Sequence, residues 1–420
     1  MYWQGGATAV AQVSTQTFGT YDATTTRKIT IGGVTISAVD SGGNLTAALT
    51  ALAALLNAST HPYFSTITWT SSATTITGTA DVAGIPFTMT GAVSGGTGTV
   101  SNSGVQVDTT ANAGPNNWGT IANWYTALGT PSSALPTSGD TVIFANNSVD
   151  VRWGLTTGVT GVTLIRQDLT YTGKIGLDYK VFVTGSDGSS TASYPEYRPC
   201  YVSIGCVTYR HGDNPTFGSA SGSSRSLWDF GTTTACTMDI INTSSNSNEA
   251  NRPCLRLLGT KSTHSLNVRS APGGVGICNE IPGETASMIV NIADTTSTSK
   301  VVTGTGFTLI TWSQSGGNNV LASNATMPTI TVTGGTLRLE GTGAITTLNC
   351  YSGTTNANSS GAIATINLQG GNLSGFGSSV ARTWGGTAFN VYPDSSYSYD
   401  PAVITLSNYA GQRRLTIATS

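Results

Sequence analysis

The chain has 420 residues and sets 18 Lys and Arg against 20 Asp and Glu, a net charge of −2 with no run of like charge, so neither nucleic acid nor an anionic membrane is indicated as a partner. Only 9% of residues are charged, against roughly 25% in an ordinary soluble domain, while 52 are glycine. Disorder is excluded by β-branched runs that recur between the glycines, such as Ile330-Thr-Val332, Leu337-Arg-Leu339 and Ile366-Asn-Leu368.

The opening MYWQGGATAVAQV lacks a basic stretch followed by an apolar core, and no later window approaches 18 apolar residues, so neither a signal peptide nor a membrane span is expected. Six cysteines (Cys200, Cys206, Cys236, Cys254, Cys278, Cys350) show no C-x-x-C spacing and read as reduced, buried structural thiols, with no metal or cofactor. Both points fit synthesis in a bacterial-type cytoplasm.

Strands are expected at residues 28–31 and 34–39. Leu45, Leu49, Leu52 and Leu56 then recur at helical spacing, with Ala48 and Leu55 widening the stripe. Asn44 is the expected N-cap, and the helix should stop in residues 57–62, where His61 precedes a proline. Three further strands are expected near residues 66–70, 74–79 and 86–93. The order ββαβββ predicts a small α+β head domain over residues 1–110.

Residues 111–140 read as a connector, yet they hold Trp118, Trp124 and Tyr125 before Leu135-Pro-Thr-Ser-Gly139-Asp140. Large aromatics followed by a turn suit a plug over the open end of a sheet stack. The string NNWGTIANW followed by LPTSGDTVIF is similar to the opening of right-handed parallel β-helices in phage proteins and secreted bacterial passengers.

Residues 141–420 read as strands of three to five residues bounded by Gly, Ser, Thr or Asn, which suits a right-handed parallel β-helix or β-solenoid better than a pair of β-sandwiches. Thr331-Val-Thr-Gly-Gly335 aligns with Asn367-Leu-Gln-Gly-Gly371 after removal of residues 352–361 as a loop, which predicts three-strand coils of about 26 residues. A second alignment, removing residues 313–319, gives about 23. About eleven coils would form a shaft on the order of 50 Å long.

Established catalytic motifs are not matched, and no catalytic residue is assigned. His61, His211 and His264 lie far apart beside Pro62, Gly212 and Ser265 and are expected to be exposed or capping. Three carboxylate pairs could act as acid and base on a glycan: Asp229 with Asp239, Glu280 with Glu284, and Asp394 with Asp400. Each also has a reading as turn chemistry. Tyr194, Tyr197, Tyr201 and Tyr209 crowd one stretch, and Tyr392, Tyr397, Tyr399 and Tyr409 another. Together with Tyr2, Trp3, Trp118 and Trp124, the first group makes up the candidate interface residues. Arg413-Arg414 reads as a solvated strand end.

The phrases FGTYD, KITIGG, ALTALAALLN, ITWTSSATTITGTA and GIPFTMT resemble small α+β modules of tailed-phage structural proteins. The resemblance implies a non-enzymatic virion protein of the capsid decoration or cement type. Such a protein would be a homotrimer on the major capsid protein, with its shaft pointing out from the capsid exterior. A tail spike or fibre that binds or cleaves host glycans is the alternative, and a secreted adhesin is a third.

Overall fold

The computed structural model describes residues 1–183, 193–212, 225–243, 253–294 and 298–411. The chain is mainly β, and residues 141–406 form a β-solenoid of about 11 turns preceded by a small α+β region. Among the described residues there is one α-helix, Leu45–Ala58.

The head places that helix against two antiparallel sheets. One sheet contains strands Ile67–Ser71, Thr75–Ala80 and Val13–Gly19, with Thr99–Val100 and Val107–Thr110 also pairing to the last. The other has Thr26–Ile31 between Val34–Val39 and Thr90–Ser94. Ala48, Leu49, Leu52, Ala53 and Leu56 are buried, and the Asn44 carboxamide oxygen accepts from the Ala47 amide at 2.9 Å. Leu55, expected to widen the apolar stripe, is exposed.

The sequence order ββαβββ misses Val13–Gly19, and the physical reason is visible. Its inward positions are Ser14, Gln16 and Phe18, so the buried face is mostly polar and no apolar alternation marks the strand. Gln12 and Ser14 satisfy that face instead: Ser14 Oγ donates to Asp108 at 2.6 Å, and Gln12 bonds both the amide and the carbonyl of Phe87. Arg27 and Asp40 form a buried bidentate pair in the same head, with further Arg27 donors on the Gly19 and Thr20 carbonyls.

The head begins later in the chain than expected. Tyr2–Trp3 belongs to the solenoid, pairing antiparallel with Trp124–Ala127 and parallel with Thr141–Phe144. Val10 and Ala113 then pair where the chain enters and leaves the head. The head is thus an insertion between Tyr2–Trp3 and the remaining cap residues at Trp118 and Trp124.

From Val202–Ser203 to Ser396–Tyr399 each coil contributes one strand to each of two parallel sheets, so the coil has two paired strands where three were expected. The coil is also shorter. Gln314, Val332, Cys350 and Leu368 are successive register partners, one every 18 residues. The apparent loop at residues 352–361 contains a strand, Thr354–Ala357, paired on both sides. The 36-residue alignment therefore spans two coils. Earlier coils are longer: Gln167 and His211, also partners, are 44 residues apart.

In-register stacking turns each sequence position into a column. Val142, Ile165, Tyr209, Met238, Leu266 and Val290 begin one that continues through Trp312, Ile330, Leu348 and Ile366 to Phe389, all buried. The adjacent position carries amides in several coils. Asn367 Nδ2 donates to Asn349 Oδ1 and Asn390 Nδ2 to Asn367 Oδ1, each at 2.8 Å, and Asn267 and Asn291 continue the pattern lower down onto Asp239. Such ladders repeat a side-chain hydrogen bond at the spacing of the backbone ladder.

Leu348 has apolar neighbours above and below in its column. Leu348→Ala is expected to cost about 3 kcal/mol, and Leu348→Asp to prevent cooperative folding of the solenoid. Urea denaturation followed by circular dichroism checks both, with Leu52→Asp as the corresponding test of the head.

Candidate functional site

The aromatic candidates divide into three groups, all engaged inside the chain. Trp3 and Trp118 each pack edge to face against Trp124, with ring centroids 5.1 Å and 4.6 Å apart, and all three rings lie against Phe144 at the first rung. Their indole nitrogens bond backbone: Trp3 Nε1 donates to the Val149 carbonyl and Trp124 Nε1 to that of Trp118, both at 2.9 Å. These three rings are buried and form the solenoid cap, which leaves them no surface for a partner. Tyr2 is half-buried beside them, in register with Tyr125.

Tyr194 and Tyr197 face the head. The strands Val181–Val183 and Ser193–Pro195 form an antiparallel pair projecting from the 44-residue coil. Tyr197 meets Tyr63 with ring centroids 4.5 Å apart, Phe182 meets Tyr63 at 5.0 Å and Tyr194 meets His61 at 5.6 Å. Tyr63 also donates its hydroxyl hydrogen to the Pro195 carbonyl. Gly32, at φ +59°, lies under Tyr197 where a Cβ would collide with the ring. This seam fixes the head to the shaft. Its head-side members His61 and Tyr63 carry no sequence signal, because the surface they meet lies more than a hundred residues away.

Beside the seam is a cavity of about 120 Å³ lined by Phe87, Trp153, Leu155 and Arg198, among others. The Arg198 guanidinium sits over the Trp153 ring, 4.6 Å from its centroid, and pairs with Glu196 at 3.1 Å. The cavity is smaller than the roughly 300 Å³ at which small-molecule sites begin.

Tyr209 and Tyr201 are buried on different faces. Tyr209 donates to Gln167 Oε1 at 3.1 Å and lies 2.9 Å from His211 Nδ1, while Gln167 Nε2 donates to Ser226 Oγ at 2.8 Å. All three histidines are buried, so the exposed reading of them is wrong. His61 and His264 use ring nitrogens to accept the Tyr63 and Cys236 amides, so neighbouring turns close around them.

Tyr201 borders a knot of charge on the second sheet. Arg256 is buried and paired with Glu280; Arg225 pairs with Glu280 at 3.3 Å and also with Asp178. Glu284 Oε2 accepts the Glu280 amide at 2.9 Å, and the Tyr201 hydroxyl lies beside the Glu284 carboxyl. Burial pushes the Glu284 carboxyl above its ordinary range. The Glu280 and Glu284 pair thus does meet, across the turn at Pro282-Gly283, but Glu280 is held by two arginines. Those arginines were not singled out in the sequence.

The other two carboxylate pairs serve separate structural purposes. Asp229 and Asp239 lie on strands of different sheets; Asp229 Oδ1 accepts the Gly231 amide at 2.8 Å, and Asp239 ends the amide ladder. Asp394 occupies a left-handed turn at φ +66°, and Asp400 Oδ1 accepts the Ala402 amide at 2.9 Å. Among the second tyrosine group Tyr392 is exposed and Tyr397 and Tyr399 are half-buried against the core. The Tyr409 side chain and Arg413-Arg414 lie outside the described residues. Among the described residues no three His, Cys, Asp or Glu side chains gather as a metal would require.

Against protein-family models, curated proteins and solved structures, the chain finds no match.

Two outcomes follow from the buried polar groups. Glu280→Gln leaves Arg225 and Arg256 with less countercharge in a buried setting and is expected to cost about 3 to 5 kcal/mol, measured by urea denaturation. Burial pulls the His211 imidazole down to about 4. The unfolded chain therefore takes up a proton below about 6.5 that the folded chain refuses, and stability is lost as pH falls from there toward 4, by up to about 3 kcal/mol. Urea midpoints at pH 7 and pH 4.5 should differ less in His211→Gln than in the wild type.

Proposed function

We propose that this chain is a non-catalytic structural protein of a tailed-phage virion, of the capsid decoration or cement type. The observation that carries the non-catalytic reading is the fate of the carboxylates. Each pair that could have served glycan cleavage has at least one carboxylate bonded to an arginine, a turn amide or an amide ladder. The virion setting rests on the sequence resemblance of the head and of the connector.

The architecture suits a protein that carries force rather than one that turns over substrate. A head seated at a joint between capsomers would pass load into the shaft through the Tyr63 and Tyr197 seam, and the stacked coils would resist it along many parallel hydrogen bonds. Self-association into a homotrimer would draw on apolar groups left exposed near the last coils, notably Phe376, Val380 and Tyr392. In this reading the partners are further copies of the chain and the major capsid protein.

Quantitative mass spectrometry of purified particles tests the proposal. The expected result approaches one copy per capsid subunit, with sedimentation of the free protein as a trimer of the 43.0 kDa chain. A count of about a dozen or two per particle would assign it to the tail, and glycan cleavage lost in Glu284→Gln would establish the depolymerase reading instead.

A further inference from the structure

Four of the six buried cysteines are engaged with backbone or hydroxyl oxygen. Cys254 Sγ lies 3.5 Å from the Gly274 carbonyl, Cys278 Sγ 3.9 Å from that of Gly304, Cys200 Sγ 3.8 Å from that of Arg198, and Cys350 Sγ 3.2 Å from Thr355 Oγ1. Cys206 and Cys236 differ. Their sulfurs face each other at 3.3 Å across two neighbouring rungs, and both residues are buried free thiols. Cys206 opens the strand Cys206–His211, and Cys236 immediately precedes Thr237–Ile240, its parallel partner.

We propose that Cys206 and Cys236 are a latent disulfide site, closed by a small peroxide to staple two successive coils of the solenoid. The spacing favours it on two counts. The register of Thr208 with Thr237 sets Cys206 one residue out of step with Cys236 on neighbouring strands, and the sulfurs need to approach by little more than 1 Å to reach bonding distance. The two residues are 30 apart in sequence, so the bond closes a loop long enough to restrict the unfolded chain substantially.

The chemistry balances with hydrogen peroxide as the oxidant. One thiolate sulfur attacks a peroxide oxygen, the O–O bond breaks, and the departing hydroxide takes up that thiol's proton to leave as water. The sulfenic acid so formed is attacked by the second sulfur. The S–S bond forms as the S–O bond breaks, and a second water leaves with the remaining thiol proton. Two electrons pass from the sulfurs to the peroxide. Burial raises the Cys206 thiol and keeps it protonated in the closed fold, so the reaction is paced by local opening of the coil.

The test uses the full chain, reduced and then exposed to millimolar hydrogen peroxide, with free thiols alkylated before digestion. The expected result is a mass loss of about 2 Da, one linked peptide joining Cys206 to Cys236, and a thermal midpoint raised by about 5 °C that dithiothreitol reverses. Cys236→Ser should lose the link and the rise together. Should that variant fail to fold, the linked peptide of the wild type decides alone. A link between any other two cysteines overturns the proposal, as does sulfinic acid at Cys206 without a link. So does full alkylation of all six thiols both after peroxide and after refolding in a glutathione redox buffer.

Discussion

The structure depends on the in-register stacking of parallel strands. Once coils are joined by backbone hydrogen bonds about 4.8 Å apart, every side chain has the same position of the next coil directly above it. Chemistry must then be compatible along a whole column. The run from Val142 to Phe389 meets that demand with apolar residues, and the Asn349, Asn367 and Asn390 ladder meets it with a side chain that is both donor and acceptor. The same column carries charge in the first coils, where Arg166 and Arg210 are register partners and Arg166 is paired with Asp168, before Asp239 starts the amide run.

The exceptions inside the solenoid follow the same rule. Gln167, His211 and Gln314 occupy one column among Phe144, Ile240, Val268 and Val332, and each is bonded within the interior. Gln314 accepts from the Trp312 indole and donates to the Gly334 carbonyl, while Gln167 joins Tyr209 to Ser226. A polar group in a dry stack is tolerated when its capacity is used nearby. On the second sheet Arg225 and Arg256 are held by charge instead, both paired with Glu280.

A stack of sheets also has ends and sides to manage. Three tryptophans close the first rung, and the head, inserted after Trp3, is returned to the shaft by the projecting strands near Tyr194 and Tyr197. The longest coil of the shaft supplies these strands. Variation in coil length is therefore where this solenoid acquires its attachments, consistent with the rule that repeat architectures place insertions outside the core.

By itself the sequence determined the β-rich class, the helix with its Asn44 cap, the aromatic character of the connector and the stacked architecture after residue 140. These are legible because they depend on local periodicity and turn residues, which act over a few positions. The 18-residue coil was obscured by neighbouring coils of unequal length, and Thr354–Ala357 by its polar composition. Val13–Gly19 was hidden because Ser14 and Gln16 face inward. Only the tertiary structure decided that Trp3 belongs to the cap, that Tyr197 meets Tyr63, that the histidines are buried and that Glu280 is clamped by two arginines. Each of those facts depends on a partner supplied from another coil or from the head, and local sequence patterning carries no information about which distant residue will lie alongside.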